Sequence, residues 1–305
     1  MEAPSPQTRF DRVRPLKGLD IGLWVVALAP GMETNTSCDG SFRPSSSLLN
    51  PPLVRSRAAR ARLLYWPVSR RTSLKPLVGS NRLMGNLYLV RHGQASFGKA
   101  DYDNLSDLGR QQSLRLGQYF KRRRLVFDLV IMGSLRRHTQ TWEAIAQGAG
   151  FDHKPLVWTG LDEYDSEAVV KAIHPARLEK PDTPERYRQH FRLLRDGLRA
   201  WMSGATRPLG MPDYPSFVQG VVGALDHVRM SNCSNVLIVS SGGPISTAVG
   251  QLLDTSAETT IELNFRIRNT SITEFSFNPK RHVLLSYNHL PHLEEPAYAD
   301  WHTYA

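Results

Sequence analysis

The chain has 305 residues, 41% of them hydrophobic and 22% charged, proportions of a globular protein long enough for a sizeable core. No apolar run approaches the roughly 18 residues of a membrane-spanning helix, and two cysteines, Cys38 and Cys233, exclude a disulfide framework and a cysteine-based zinc site. The net charge of +10 sits mainly in residues 1–83, with 13 Lys and Arg against 5 Asp and Glu; residues 84–305 carry 25 against 23, so the body's charge makes no case for nucleic-acid binding.

Residues 1–83 are rich in Pro, Ser and Arg, as in Ser45-Ser46-Ser47, Pro51-Pro52 and the Arg55–Arg62 stretch, and they lack sustained periodicity. They read as a disordered leader, with 84–305 as the folded body. Met84 stands directly before the first clean strand pattern, so the leader reads as an over-extended N-terminus. Two targeting readings compete. Ile21–Ala29 is a short apolar run with basic residues upstream, as in a secretory signal, and residues 40–83 have many Arg and Ser and no acid, as in an organelle transit peptide. The expected location is cytoplasmic, with targeting by the leader as the alternative.

The body alternates strands and helices. Strands are expected at Asn86–Val90, Phe127–Met132, Asn235–Val239, Ser271–Phe277 and His282–Tyr287, all short, apolar runs. Leu105–Arg124 carries apolar residues at helical spacing, with Ser106 or Asn104 as its cap. Arg136–Gln147 and Pro244–Leu253 read as helices, and 166–230 as helical material broken by prolines. This order predicts a three-layer α/β/α fold around a mostly parallel sheet, with the last two strands forming an antiparallel edge.

Three strands end in candidate chemistry. The first runs into Arg91-His92-Gly93-Gln94-Ala95-Ser96, where ligands bind in open α/β sheets. Arginine suits phosphate, and histidine serves as a nucleophile or base near neutral pH. The second runs into Ser134-Leu135-Arg136-Arg137-His138-Thr139-Gln140-Thr141 at a helix start, which itself favours anions. The third runs into Ser240-Ser241-Gly242-Gly243, whose backbone N–H groups can cradle an anion. A fourth segment, Leu161-Asp162-Glu163-Tyr164-Asp165, is acidic, and a carboxyl group near phosphate can protonate a leaving oxygen. Taken singly, each is also an ordinary strand end, helix start, turn or solvated loop.

In this order the motifs resemble the histidine phosphatase superfamily, the phosphoglycerate-mutase-like fold, over about residues 86–293. Leu105-Ser106-Asp107-Leu108-Gly109-Arg110-Gln111-Gln112 and Asn269-Thr270-Ser271-Ile272-Thr273 add to the likeness. The resemblance implies a metal-independent phosphatase with no cofactor, and makes 84–305 its catalytic domain. His92 would become phosphorylated, and Glu163 would be the general acid and then the base. Arg91 and Arg137 would hold the phosphoryl oxygens, with Ser96, Ser241 and Gly242 as further substrate-binding positions. The expected substrate is a phosphorylated small molecule or phosphoprotein, with no nucleic-acid or membrane partner; oligomeric state is left open.

The sequence departs from the family pattern at Ser241, where most members carry a second histidine. A serine is shorter and cannot carry positive charge. His138, His289 and His292 are the candidates to fill in, with His292 ranked first because the C-terminal strand returns to the sheet. The departure also opens a second reading, a phosphate-binding or regulatory module with weak catalysis. A mutase or phosphotransferase ranks below both, since Gln94–Gly98 does not match the mutase loop and no segment that seals a bisphosphate is found.

Overall fold

The computed structural model describes residues 84–96, 103–176, 178 and 183–304. The expected leader at 1–83 lies outside the described residues. Among the described residues, no helix is long and apolar enough to cross a membrane.

Among the described residues six strands form one sheet: β1 Gly85–Arg91, β2 Leu129–Met132, β3 Leu156–Val157, β4 Asn235–Ser240, β5 Ile272–Asn278 and β6 Arg281–His289. Their spatial order is β3-β2-β4-β1-β5-β6. β3, β2, β4 and β1 run parallel, while β5 is antiparallel to both β1 and β6. Among the described residues seven α-helices connect them: α1 Asp107–Arg122, α2 Arg136–Ala149, α3 Ser166–Ile173, α4 Pro184–Met202, α5 Tyr214–Met230, α6 Gly242–Leu253 and α7 Ala257–Arg266. The architecture is the expected three-layer α/β/α arrangement, a mostly parallel sheet with an antiparallel edge.

Period-2 side-chain alternation in the strands builds two cores. Leu87, Leu89, Ile131, Val236 and Ile238 face one side, packed with Trp201 of α4, Phe217 of α5 and Ile245 of α6. Tyr88, Val90, Val130, Leu237 and Val239 face the other, packed with Leu116 and Phe120 of α1 and Trp142 and Ile145 of α2. Both faces of the inner strands are therefore apolar, which explains their unbroken hydrophobic runs.

α1 starts where Ser106 accepts a bond from Gly109 N at 3.0 Å, and ends before Arg124, whose φ of 53° is left-handed. It is shorter at both ends than its periodicity predicts. β3 and α7 were not expected. β3 is two exposed residues, too short to show a period, and only Thr260 and Ile261 of α7 are buried, which leaves no apolar stripe to read.

The helix after β1 joins one core and the helix after β4 the other, although β1 and β4 are adjacent. That is the topological switch point of the sheet, where a crevice opens beyond the strand ends. Arg91 and Ser240, the last residues of these strands, are paired there.

Candidate active site

His92 is the first residue past β1. Its backbone is held from both neighbouring strands: His92 N donates to Ser240 O at 2.9 Å, and Thr270 N donates to Arg91 O at 3.0 Å and His92 O at 3.3 Å. Asn269 Nδ2 adds a bond to His92 O at 3.2 Å. Thr270 takes a φ of 57° to do this, a strained conformation for a β-branched residue.

The His92 ring is buried. Nδ1 lies 2.7 Å from Gly93 O. A carbonyl only accepts, so Nδ1 carries the proton and Nε2 presents its lone pair. Burial, then the charges of Arg137 and Arg91 and the neighbouring His138, hold its pKa well below 6.5. The imidazole is therefore neutral near pH 7 and in the tautomer a nucleophile requires.

Arg91 and Arg137 are both buried, at 7% exposure, while Arg136 is exposed. Arg91 Nη1 donates to Ile267 O at 2.5 Å. Arg137 Nη1 lies 2.8 Å from Asp103 Oδ1, and the other Asp103 oxygen accepts from Arg136 N at 2.8 Å. Asp103 thus holds Arg137 and caps the start of α2 together. Thr141 locks this helix to the loop that carries His92, donating to Arg137 O at 2.7 Å and accepting from Gly93 N at 3.0 Å.

Glu163 is half-buried, and its carboxylate accepts from Gly243 N, at 3.1 Å to one oxygen and 3.2 Å to the other. A Cβ on residue 243 would come within 2.1 Å of Glu163 Oε1, so this approach requires glycine. Burial pushes the Glu163 pKa up from 4.5; the charges of Arg137 and Arg91 and the bond from Gly243 oppose it in part. The N–H expected to cradle an anion in this turn is thus given to Glu163 at Gly243. Gly242 precedes it as the first residue of α6.

Ser241 lies between β4 and α6 and is fully buried. Its Oγ is 2.7 Å from His138 Nε2, and the His138 ring lies 5.9 Å from the His92 ring, centroid to centroid. The histidine beside Ser241 is therefore His138. His292, ranked first from sequence, is buried with Nε2 2.9 Å from Thr270 Oγ1; burial first, then Arg115, His302, His289 and Arg122, hold its pKa down to about 3. It supports the backbone behind the site and does not enter it. His289 is exposed and pairs with Glu294 at 2.9 Å.

Ser96 is buried at the base of the 96–104 connection, its N donating to Asn104 O at 2.7 Å. Among the described residues no contact joins its hydroxyl to the cluster. Sequence reasoning also missed Asp103, Thr141 and Asn269 as supports. Thr141 and Asn269 lay inside quoted motifs, but nothing in the local pattern announced their partners.

Residues 87–290 match the family model of the histidine phosphatase superfamily, branch 1. No curated protein sequence is matched by the chain. Among solved structures, the chain is similar to phosphoserine phosphatase from Entamoeba histolytica in complex with 3-phosphoglyceric acid. Identity is 24%, coverage 69% of this chain and 100% of that one, and the TM-score 0.49. It is also similar to phosphoglycerate mutase from Bacillus anthracis, at 18% identity, 68% and 95% coverage and a TM-score of 0.48. For alpha-ribazole phosphatase from Shigella flexneri the values are 21%, 67% and 96%, and 0.46.

Proposed function

The chain belongs to the histidine phosphatase superfamily, and on that premise we propose that it hydrolyses phosphate monoesters through a phosphohistidine on His92. The observation that carries the reading is the His92 tautomer: Nδ1 is committed to Gly93 O at 2.7 Å, so the Nε2 lone pair is free to attack beside Arg91 and Arg137.

In the first step, Nε2 attacks phosphorus and the ester P–O bond breaks. The leaving oxygen takes the proton of Glu163, whose raised pKa favours the acid form in the resting site. In the second step, Glu163, now ionised, takes a proton from water, the water oxygen attacks phosphorus, and the N–P bond breaks. Phosphate leaves and both residues return to their starting states. The arginines offset the charge that builds on the non-bridging oxygens. The substrate class this fits is a phosphorylated small molecule or phosphoprotein.

The test is hydrolysis of p-nitrophenyl phosphate by residues 84–305 and by the full chain, with chelator present. Chelator leaves turnover unchanged, and His92→Ala lowers it by more than ~10³-fold, as loss of a nucleophile does. Equal rates in the variant and the parent would remove His92 from the reaction. The second reading, a module that binds phosphate without useful turnover, is motivated by Ser241. It predicts phosphate binding that Arg91→Ala or Arg137→Ala abolishes, with no ester hydrolysed.

A further inference from the structure

We propose that Asp162, His138 and Ser241 form a relay that aligns the phosphoryl group: His138 donates to Ser241 Oγ, so that the Ser241 hydroxyl hydrogen points at the phosphoryl oxygens. This rests on the reading of His92 as the phosphoryl acceptor. In it, Ser241 touches the substrate and His138 is a positioning residue that acts through it.

Five observations carry the inference. His138 has no exposed surface, and a buried imidazole needs partners or a use. One ring nitrogen, Nε2, is 2.7 Å from Ser241 Oγ. The other, Nδ1, lies 3.7 Å from Asp162 Oδ1, on the side where the Gly133 backbone also favours a protonated ring. Asp162 cannot swing away, since Ser134 N and Ser134 Oγ each donate to its carboxylate at 2.5 Å. Finally, Gly133 leaves room for the array: a Cβ there would come within 2.2 Å of His138 Nδ1 and 2.6 Å of Asp162 Oδ1.

The direction of the bonds follows from the charge of the ligand. A serine hydroxyl has one hydrogen. If Ser241 donated to His138, its lone pairs would face the phosphoryl oxygens and repel them. If His138 Nε2–H donates to Ser241, the serine hydrogen is free for the phosphoryl group. Asp162 opposite Nδ1 favours a protonated nitrogen on that side too, so the arrangement is complete when the ring carries both hydrogens. In the resting site, burial and the charge of Arg137 hold the His138 pKa down to about 3. A bound phosphoryl dianion offsets the guanidinium charges and removes part of that opposition. Arg137, His92 and Asp162 are the charged and titratable groups around the ring.

The experiment is a double-mutant cycle on p-nitrophenyl phosphate hydrolysis with S241A, H138A and the double variant, thermal melting serving as the check of folding. Each single change lowers kcat by ~30-fold or more, as loss of a transition-state donor does, and leaves KM within ~3-fold. Because the two residues act as one unit, the double variant falls no more than ~3-fold below the weaker single. H138A combined with S241H recovers turnover, since a histidine then reaches the phosphoryl group directly. H138A with parental kcat, or losses that multiply in the double variant, would overturn the relay and leave the His92 reading standing. If the parent hydrolyses nothing, the His92 reading fails first, and orthovanadate binding still decides the relay. Vanadate mimics the five-coordinate transition state, so H138A weakens it ~10-fold or more beyond its effect on inorganic phosphate. Equal weakening of both ligands would overturn it.

Discussion

Glu163 joins two demands on one carboxyl group. Its oxygens accept from Gly243 N and Tyr164 N, yet burial still raises its pKa. The acid form persists where an ordinary glutamate is ionised, so kcat on a poor leaving group falls as pH rises through that raised value. Glu163→Gln removes this alkaline limb. It slows an alkyl phosphate by ~10²–10⁴-fold and p-nitrophenyl phosphate far less, because nitrophenolate leaves without a proton. Equal losses on the two esters would take Glu163 out of the acid role. The residues legible from sequence are those whose meaning is contiguous. Arg91-His92-Gly93 announces itself within three positions, and Arg137 by its place four residues before Thr141. His138 was visible but not its partner, because Ser241 lies 103 residues away. The two meet because β2 and β4 pair, Met132 beside Val239, and periodicity does not give strand adjacency. His292 was overrated for the same reason: its burial against Thr270 depends on where β6 leads the chain.

Among the elements, α1 couples stability to the site. Ser106 caps it through Gly109 N at 3.0 Å and donates to Gln94 Oε1 at 2.8 Å, two residues past His92. Ser106→Ala removes both bonds, and the loss of the cap alone costs about 1 kcal/mol. Urea denaturation measures it, and an unchanged midpoint would show the cap to be idle. Phe120 on the same helix is fully buried against Phe127 and Tyr88; its truncation to alanine costs about 3–5 kcal/mol in the same experiment. The helical periodicity of α1 is legible because one face meets a single core. In α4 the signal is charge: Arg186, Arg188, Arg192 and Arg195 read as a solvated face more readily than a second anion pocket. Arg188 pairs with Glu185 at 2.5 Å, and Arg195 bridges to Glu258 of α7 at 2.7 Å. Arg188 and Arg195 thus answer to acids at the surface, and the exposed Arg188–Glu185 pair contributes little stability.

For the whole molecule, the buried histidines set the response to acid. Folding lowers His138 and His292 to about 3 and His282 to about 4, through burial first. Unfolded imidazoles bind protons near pH 6.5. Between these limits the unfolded chain holds more protons, so stability is full above about pH 6.5 and is lost as pH falls, by about 1.4 kcal/mol per unit for each histidine. Glu163, with its raised pKa, works the other way over its own window and cancels part of one histidine. The denaturation midpoint in urea is expected to fall from pH 7 to pH 5; a flat midpoint would mean these rings are hydrated. The same long-range wiring has a consequence in time. Asn269, which holds the His92 carbonyl, is 177 residues downstream of it, and Thr303, bonded to Asn269 and to Gln112 of α1, is 34 residues further on. At a synthesis rate of about 5–20 residues per second, roughly 9–35 s separate the making of His92 from the making of Asn269. A nascent chain halted before that point carries the complete Arg91-His92-Gly93 motif without the donors that seat it. The seat of the His92 backbone is therefore completed late in translation, well after the motif itself has been made.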